Sequence, residues 1–436
     1  MVFLKNKKIA ISLSLIVLAI FVAAVVGGCG KTPAPKPTPD NKQNAMKWPA
    51  VTPPIVIGYY ENPWPGTPDT VGSLPSMKTF GKYMSAVAPF WYRATKDGDL
   101  DSKYSQLAHE TAKSMNLKVI PLVTNMRETP DAIVTLLSNA DTRSKLVNNI
   151  VNLVQEKNYD GVNIDFEIVP PEQKDNLTAF MAELYPKMVA MNKMVIISVF
   201  PQVDVAESIS GAYDYAALAK NADFLQIMTY DKHWDTSGPG PIAPIGWYED
   251  NIKHAIEKAG GANKIIVGIG AYGYNWKKGG KGETITYVDA ITLAEKKGIG
   301  VLYDEKNQAP HFKYEGHEVW FENAQSIEAK LNIIQKYKPA GIAIWRLGQE
   351  QPEIWQAINN KFPKGNVTPT RPQRPGPGPA APAPATPATP APTPGNPAPG
   401  PAPAAPVPAA PAIPTTPAAP SPAMPTTPEP APPTAP

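Results

Sequence analysis

Eight short apolar stretches recur along the middle of this chain, and stretches of helical spacing separate most of them. The strand-like ones cover residues 55–60, 86–92, 118–124, 159–167, 195–200, 224–230, 265–274 and 341–345. Residues 104–115, 141–157, 175–191, 213–221 and 249–259 carry apolar groups at helical spacing, and 352–361 closes the series. Strands alternating with helices give an α/β protein with a parallel sheet, since a parallel neighbour is reached only by a crossover. Eight such units at this length indicate a closed (β/α)8 TIM barrel. The Pro/Gly-rich stretch 62–76 reads as a loop after the first strand.

The seventh and eighth strands lie too far apart for one crossover. A helix is expected at 287–297, strand-like pieces at 301–304, 311–314 and 318–321, and a further helix at 324–337 that completes the seventh unit. Residues from about 283 to 322 therefore read as a small α+β insertion between strands 7 and 8. Placed at the strands' C-terminal end, it could wall one side of a cleft.

The foldable part runs over 50–363. Most of the 53 prolines lie outside it. Residues 364–436 form a Pro/Ala/Thr-rich tail almost without charge, which cannot bury a core and is expected to be extended or disordered. At the other end, Lys5, Lys7 and Lys8 precede an apolar run that ends in V-G-G-C at Cys29. This resembles the lipobox of bacterial lipoproteins, so 1–29 is expected to be a signal peptide with Cys29 lipidated, and 30–49 a Pro/Lys-rich linker. An ordinary cleaved signal or an uncleaved anchor is the alternative. Each reading places the domain outside the cytoplasmic membrane. Net charge is +3 with no basic stripe, so nucleic acid is not an expected partner. Five histidines without clustered spacing and one cysteine give no metal signature, and no cofactor is expected. A monomer is expected.

The chemistry concentrates in the fourth strand, Y-D-G-V-N-I-D-F-E. Asn163, Asp165 and Glu167 alternate with Val162, Ile164 and Phe166, so the polar and apolar groups take opposite faces. Asp160 falls out of phase and belongs at the strand entrance. Carboxylates at i and i+2 have Cβ atoms roughly 6–7 Å apart. In a shielded site such a pair resists double ionisation, which would keep one acid protonated near neutral pH. A solvent-facing acidic strand end would carry the same letters. In a barrel of this kind reactive groups come from C-terminal strand ends. Those ends also offer Met228, Tyr230 and Asp231, Trp345, Tyr59 and Trp91. Acids, a phenol and tryptophan faces in one mouth suit a sugar ring.

D-G-V-N-I-D-F-E, M-T-Y-D at 228–231 and Trp345 together resemble the motifs of glycoside hydrolase family 18. The signature D-x-x-D-x-D-x-E is matched at Asp160, Asp165 and Glu167, with Asn163 where many chitinases have aspartate. P-P-E after the signature, Y-G-Y-N-W at 272–276 and V-W-F-E-N at 319–323 are similar to the spore-cortex and germination subgroup, which are peptidoglycan N-acetylglucosaminidases. The resemblance implies substrate-assisted retention, with Glu167 as acid and base. Asp165 would orient the substrate's acetamido group, Tyr230 would hold its oxygen, and Trp345 would lie under the ring. Asp160, Asn163, Met228, Asp231, Tyr59 and Trp91 are the expected substrate contacts. The implied partner is a polysaccharide containing N-acetylglucosamine. A chitinase and a non-catalytic lectin are the alternatives, the lectin weighed down by the presence of Glu167.

Overall fold

The structure is a computed structural model that describes residues 54–62, 72–125 and 129–363. Cys29, the 1–29 and 30–49 segments and the 364–436 tail lie outside the described residues. Among the described residues no helix is long and apolar enough to cross a membrane.

Eight parallel strands close into a barrel: β1 (Ile55–Tyr60), β2 (Ala86–Ala94), β3 (Lys118–Val119 and Leu122–Thr124), β4 (Gly161–Asp165), β5 (Met194–Val199), β6 (Phe224–Ile227), β7 (Ile265–Gly270) and β8 (Gly341–Trp345). Each pairs with its neighbour in sequence, and β8 returns to pair with β1. β3 comes in two pieces because Pro121 has no N–H to give the ladder.

Side-chain alternation sorts the core into two layers. Ile55, Ile57 and Tyr59 of β1, Ala86 and Ala88 of β2, and Ile196, Phe224, Ile266 and Ala343 fill the barrel. Val162 and Ile164 of β4 and Phe166 just past its end face the helices, where Phe166 stacks on Phe180, ring centroids 5.4 Å apart. Burying apolar area on both faces of the strands at roughly 25 cal/mol per Å² is what drives this arrangement. The helices of that outer layer begin where the chain supplies caps. Asn139 Oδ1 accepts the Asp141 N–H at the start of Ala140–Glu156, and Asn323 with Ser326 forms a capping box at the start of Ala324–Tyr337.

Three features differ from expectation. A helix, Ser73–Phe80, begins inside the expected 62–76 loop, with Pro75 in its first turn where a missing N–H costs nothing. Pro130–Ser138 is an additional helix before β4. The insertion begins at Gly273 rather than near 283. β7 ends at Gly270, and Gly273–Lys277 joins a five-stranded antiparallel sheet with Gly282–Ile285, His317–Trp320, Ala309–Tyr314 and Leu302–Asp304. The helix Tyr287–Lys297 packs on that sheet through Ala290 and Ala294 against Phe312, Val319 and Phe321.

Candidate active site

At the C-terminal end of the strands lies a cavity of about 1100 Å³. Tyr59, Asp165, Glu167, Met228, Tyr230, Asp231 and Trp345 all line it, so seven of the residues singled out from sequence converge there. Asp165 is only 4% exposed and Tyr230 only 8%, whereas Glu167 is half-buried and reaches the open space. Among the described residues no group of three or more His, Cys, Asp or Glu side chains is placed to hold a metal ion.

Trp345 ends β8, with its ring edge-on to Tyr59 at 5.2 Å and to Phe90 at 6.4 Å between centroids. The two contacts fix the tilt of the indole. Tyr230 owes its position to the abrupt end of β6. Past Ile227 the backbone tightens through Thr229 N–H to Ile227 C=O and Tyr230 N–H to Met228 C=O, while Thr229 Oγ1 donates to Gly268 C=O at 2.7 Å. Room for the phenol comes from Gly268, where a Cβ would stand 2.8 Å from Tyr230 Cε1 and 2.5 Å from Ile227 O. Burial, and then Tyr59, Asp165, Glu167 and Asp231 nearby, push the Tyr230 phenol well above its ordinary range, so it stays a neutral donor.

Asp231 sits at φ 58°, in the left-handed region that aspartate tolerates better than most residues. Tyr272 and Tyr274 both donate their hydroxyls to its Oδ1, tying the loop after β6 to the insertion. Trp276 Nε1 adds a bond to Trp234 C=O at 3.1 Å. The insertion and that loop thus form one wall of the cavity. The motif Y-G-Y-N-W carried this signal, since strand alternation puts Tyr272, Tyr274 and Trp276 in one row.

Beneath the cavity lies a polar layer within the barrel. The Tyr59 hydroxyl donates to Gln226 Oε1, accepts from Asn163 Nδ2 at 3.2 Å, and approaches Ser198 Oγ, which also bonds Asn163 Oδ1 at 3.2 Å. Burial, and next the charge of Asp165, push the Tyr59 phenol far above its usual range. Asn163 is completely buried in this layer, one level below the cavity, and is not among the lining residues. The expected contact with substrate is therefore corrected to a supporting place in the floor.

Two other expected contacts lie elsewhere. Asp160 precedes β4 at its N-terminal end, roughly 16 Å along the strand from Asp165 at about 3.3 Å per residue. There it accepts from Lys118 Nζ at 2.9 Å and from the Val119 N–H at 2.9 Å, with Lys113 Nζ at 3.6 Å. Burial opposes its charge, but these donors outweigh burial and hold the carboxyl below the ordinary range. It ties β3 and β4 together at the closed end. Trp91 faces the helix layer, against Tyr104 and Tyr159, with its Nε1 donating to Asn62 Oδ1 at 3.0 Å. The register slips between Phe90 and Tyr92, and it is Phe90 that turns toward Trp345. Trp91 borders only a smaller cavity of about 200 Å³, which shares Asp165 and Glu167 with the large one.

Sequence reasoning missed Asn125. Its Oδ1 accepts the Glu167 N–H at 2.8 Å and its Nδ2 donates to Glu167 C=O at 2.9 Å. It also missed Tyr213, whose hydroxyl donates to Phe166 C=O at 2.6 Å. On the opposite rim, Arg346 Nε pairs with Glu61 Oε2 at 2.9 Å, joining the exits of β8 and β1.

Comparison with known proteins agrees with this geometry. The uncharacterized glycosylase YvbX of Bacillus subtilis (strain 168) is 30% identical over 323 residues, covering 70% of this chain and 90% of that protein. The crystal structure of the spore cortex-lytic enzyme SleL from Bacillus megaterium QM B1551 matches with TM-score 0.65 at 29% identity, over 71% of this chain and 74% of that one. A chitinase from Chromobacterium violaceum ATCC 12472 matches with TM-score 0.64 at 28% identity, over 72% of this chain and 100% of that one. The model of the glycosyl hydrolases family 18 matches residues 56–350, almost the whole barrel with its insertion, and the chain therefore belongs to glycoside hydrolase family 18.

Proposed function

We propose that this hydrolase cleaves β-1,4 bonds next to N-acetylglucosamine in peptidoglycan, of the cell wall or the spore cortex, by substrate-assisted retention. One observation carries the reading: Asp165, Glu167, Tyr230 and Trp345 line a single cavity deep enough to take a sugar ring over the indole. The likeness to SleL supports peptidoglycan as the polymer.

In this mechanism the sugar lies on Trp345, and Glu167 gives its proton to the glycosidic oxygen as the bond to C1 breaks. The substrate's own acetamido oxygen attacks C1 from the other face, forming an oxazolinium ion while the leaving chain departs as an alcohol. Asp165 accepts the acetamido N–H and offsets the developing positive charge, and the neutral Tyr230 hydroxyl donates to the acetamido oxygen. Glu167, now a carboxylate, takes a proton from water, which adds to C1 and opens the ring with net retention. The substrate supplies the nucleophile, so a second carboxylate across the ring is not needed.

The chain acts outside the cytoplasmic membrane, tethered through a lipid on Cys29. Incorporation of labelled fatty acid in cells, lost in Cys29→Ala, is the expected result. For the activity, full-length protein is incubated with cortex fragments, vegetative peptidoglycan and chitin oligomers, and the products are identified by mass. Release of fragments with N-acetylglucosamine at the new reducing end from either peptidoglycan is the expected result. The chitinase reading is favoured by the likeness to the Chromobacterium violaceum chitinase. Release from chitin alone would establish it, and sugar binding without cleavage of any substrate would make the protein a lectin.

A further inference from the structure

The ladder between β3 and β4 ends at the pair Thr124 and Asp165. Two residues further on, Glu167 has left β4 as a strand. The Asn125 side chain supplies what the ladder no longer does. Its carboxamide presents one C=O and one N–H, as a peptide unit does, and meets both backbone groups of Glu167 at 2.8 and 2.9 Å. Asn125 is itself only 6% exposed, so both bonds are shielded from competing water.

The need for such a clamp is visible in the next residue. Ile168 lies at φ 53°, a conformation that β-branched side chains seldom adopt. A chain that turns this sharply would relax most easily by rotating the peptide just before the turn, which belongs to Glu167. That rotation would swing the carboxyl away from the scissile bond. Tyr213 anchors the preceding carbonyl, at Phe166, from the helix side of the barrel. Asn125 holds the N–H of that same peptide and the carbonyl of the next, one on each side of the Glu167 Cα.

We infer that Asn125 is the positioning residue of Glu167, holding the proton donor's backbone at the angle that proton transfer to the leaving oxygen requires. The inference rests on the reading of Glu167 as that donor. Asn125 touches no reacting atom, so its contribution is to the geometry of the proton transfers that Glu167 makes and not to sugar affinity.

The test compares two substrates with the same glycone on the full-length protein. One carries a sugar as leaving group and needs the acid. The other carries 2,4-dinitrophenolate, which departs with little protonation. Asn125→Ala is expected to lower kcat/KM, which reports the bond-breaking step alone, about 10- to 100-fold on the first and only a fewfold on the second, with sugar binding nearly unchanged. Equal losses on both substrates would reduce Asn125 to a structural residue and overturn the inference. Asn125→Asp guards against a fold defect in the alanine variant. It can still accept the Glu167 N–H, cannot donate to Glu167 C=O, and brings a carboxylate near the acid, so the alkaline limb of kcat should move upward in pH. An unmoved limb would also overturn the inference. If wild-type protein turns over neither substrate, the hydrolase mechanism itself fails, a result distinct from both.

Discussion

The rings of Tyr59 and Trp345 meet edge to face, centroids 5.2 Å apart at an interplanar angle of 65°. Through this contact the floor of the cavity rests on the polar layer below, where the same tyrosine bonds Asn163 and Gln226. Tyr59→Phe keeps the edge and deletes the hydroxyl, leaving buried amides one partner short. A stability loss of about 1–3 kcal/mol is expected, with kcat lowered severalfold and KM little changed. Urea denaturation and steady-state kinetics check both; an unaltered denaturation midpoint would mean that the layer does not depend on this hydroxyl.

Gly268 makes room for Tyr230, and Gly268→Ala removes that room. The new methyl would press on Ile227 O and on the phenol ring. Because a shift of about 1 Å in a positioned group can cost 100-fold in rate, a comparable loss in kcat is expected, close to that of Tyr230→Phe. Gly280→Ala, whose nearest neighbour would be 3.5 Å away, serves as the control and should retain wild-type rate. Equal activity of the two glycine variants would contradict the packing argument.

Glu322 and Lys330 form an ion pair completely shut from water, with Nζ at 2.9 and 2.7 Å from the two carboxylate oxygens. Ser326 also donates to Glu322, and the Glu322 N–H bonds Tyr272 C=O at 3.1 Å, so the pair anchors the insertion's exit beside the cavity wall. Lys330→Met strands a buried carboxylate and should cost about 3–5 kcal/mol. The double variant Glu322→Leu with Lys330→Met should recover most of that loss. Chemical denaturation of the three proteins measures both, and a double variant no better than the single would refute the account.

Asp160 contributes stability with a definite pH dependence. Its carboxyl is held below the ordinary range in the folded protein, chiefly by Lys118 and the Val119 N–H against the opposing effect of burial. Such a group stabilises the fold above its unfolded pKa of about 3.9, and the contribution is lost as pH falls through the folded value. The stability gap between wild type and Asp160→Asn should be full at neutral pH and close on acidification below about pH 4. Turnover at neutral pH should be unaffected, since Asp160 lies at the closed end of the barrel. A large fall in kcat with unchanged stability would return Asp160 to the site.

How much of this was legible in the chain depends on the range of the interaction. The alternation in V-N-I-D-F-E correctly placed Asn163 and Asp165 inside the barrel and Val162, Ile164 and Phe166 against the helices, because strand geometry dictates it residue by residue. Trp91 was misplaced although alternation from Ala86 and Ala88 puts Phe90 inside and Trp91, with Val87, against the helices; the aromatic run Phe90–Tyr92 masks that phase, and the slip after Phe90 keeps Tyr92 on the helix side as well. The break between Gly270 and Gly273 was hidden in a continuous apolar, glycine-rich run that reads as one strand. Asn125 lies 42 residues from the peptide it clamps, and an asparagine after a strand otherwise looks like an ordinary turn residue.

The central claim is that Glu167 delivers the proton, and one substitution tests it most directly. Turnover of peptidoglycan fragments by Glu167→Gln is compared with wild type, alongside binding of the same fragments. The account predicts a fall in kcat of at least about 1000-fold with binding retained, since the amide keeps the shape and cannot supply the proton. Turnover within about tenfold of wild type would contradict it.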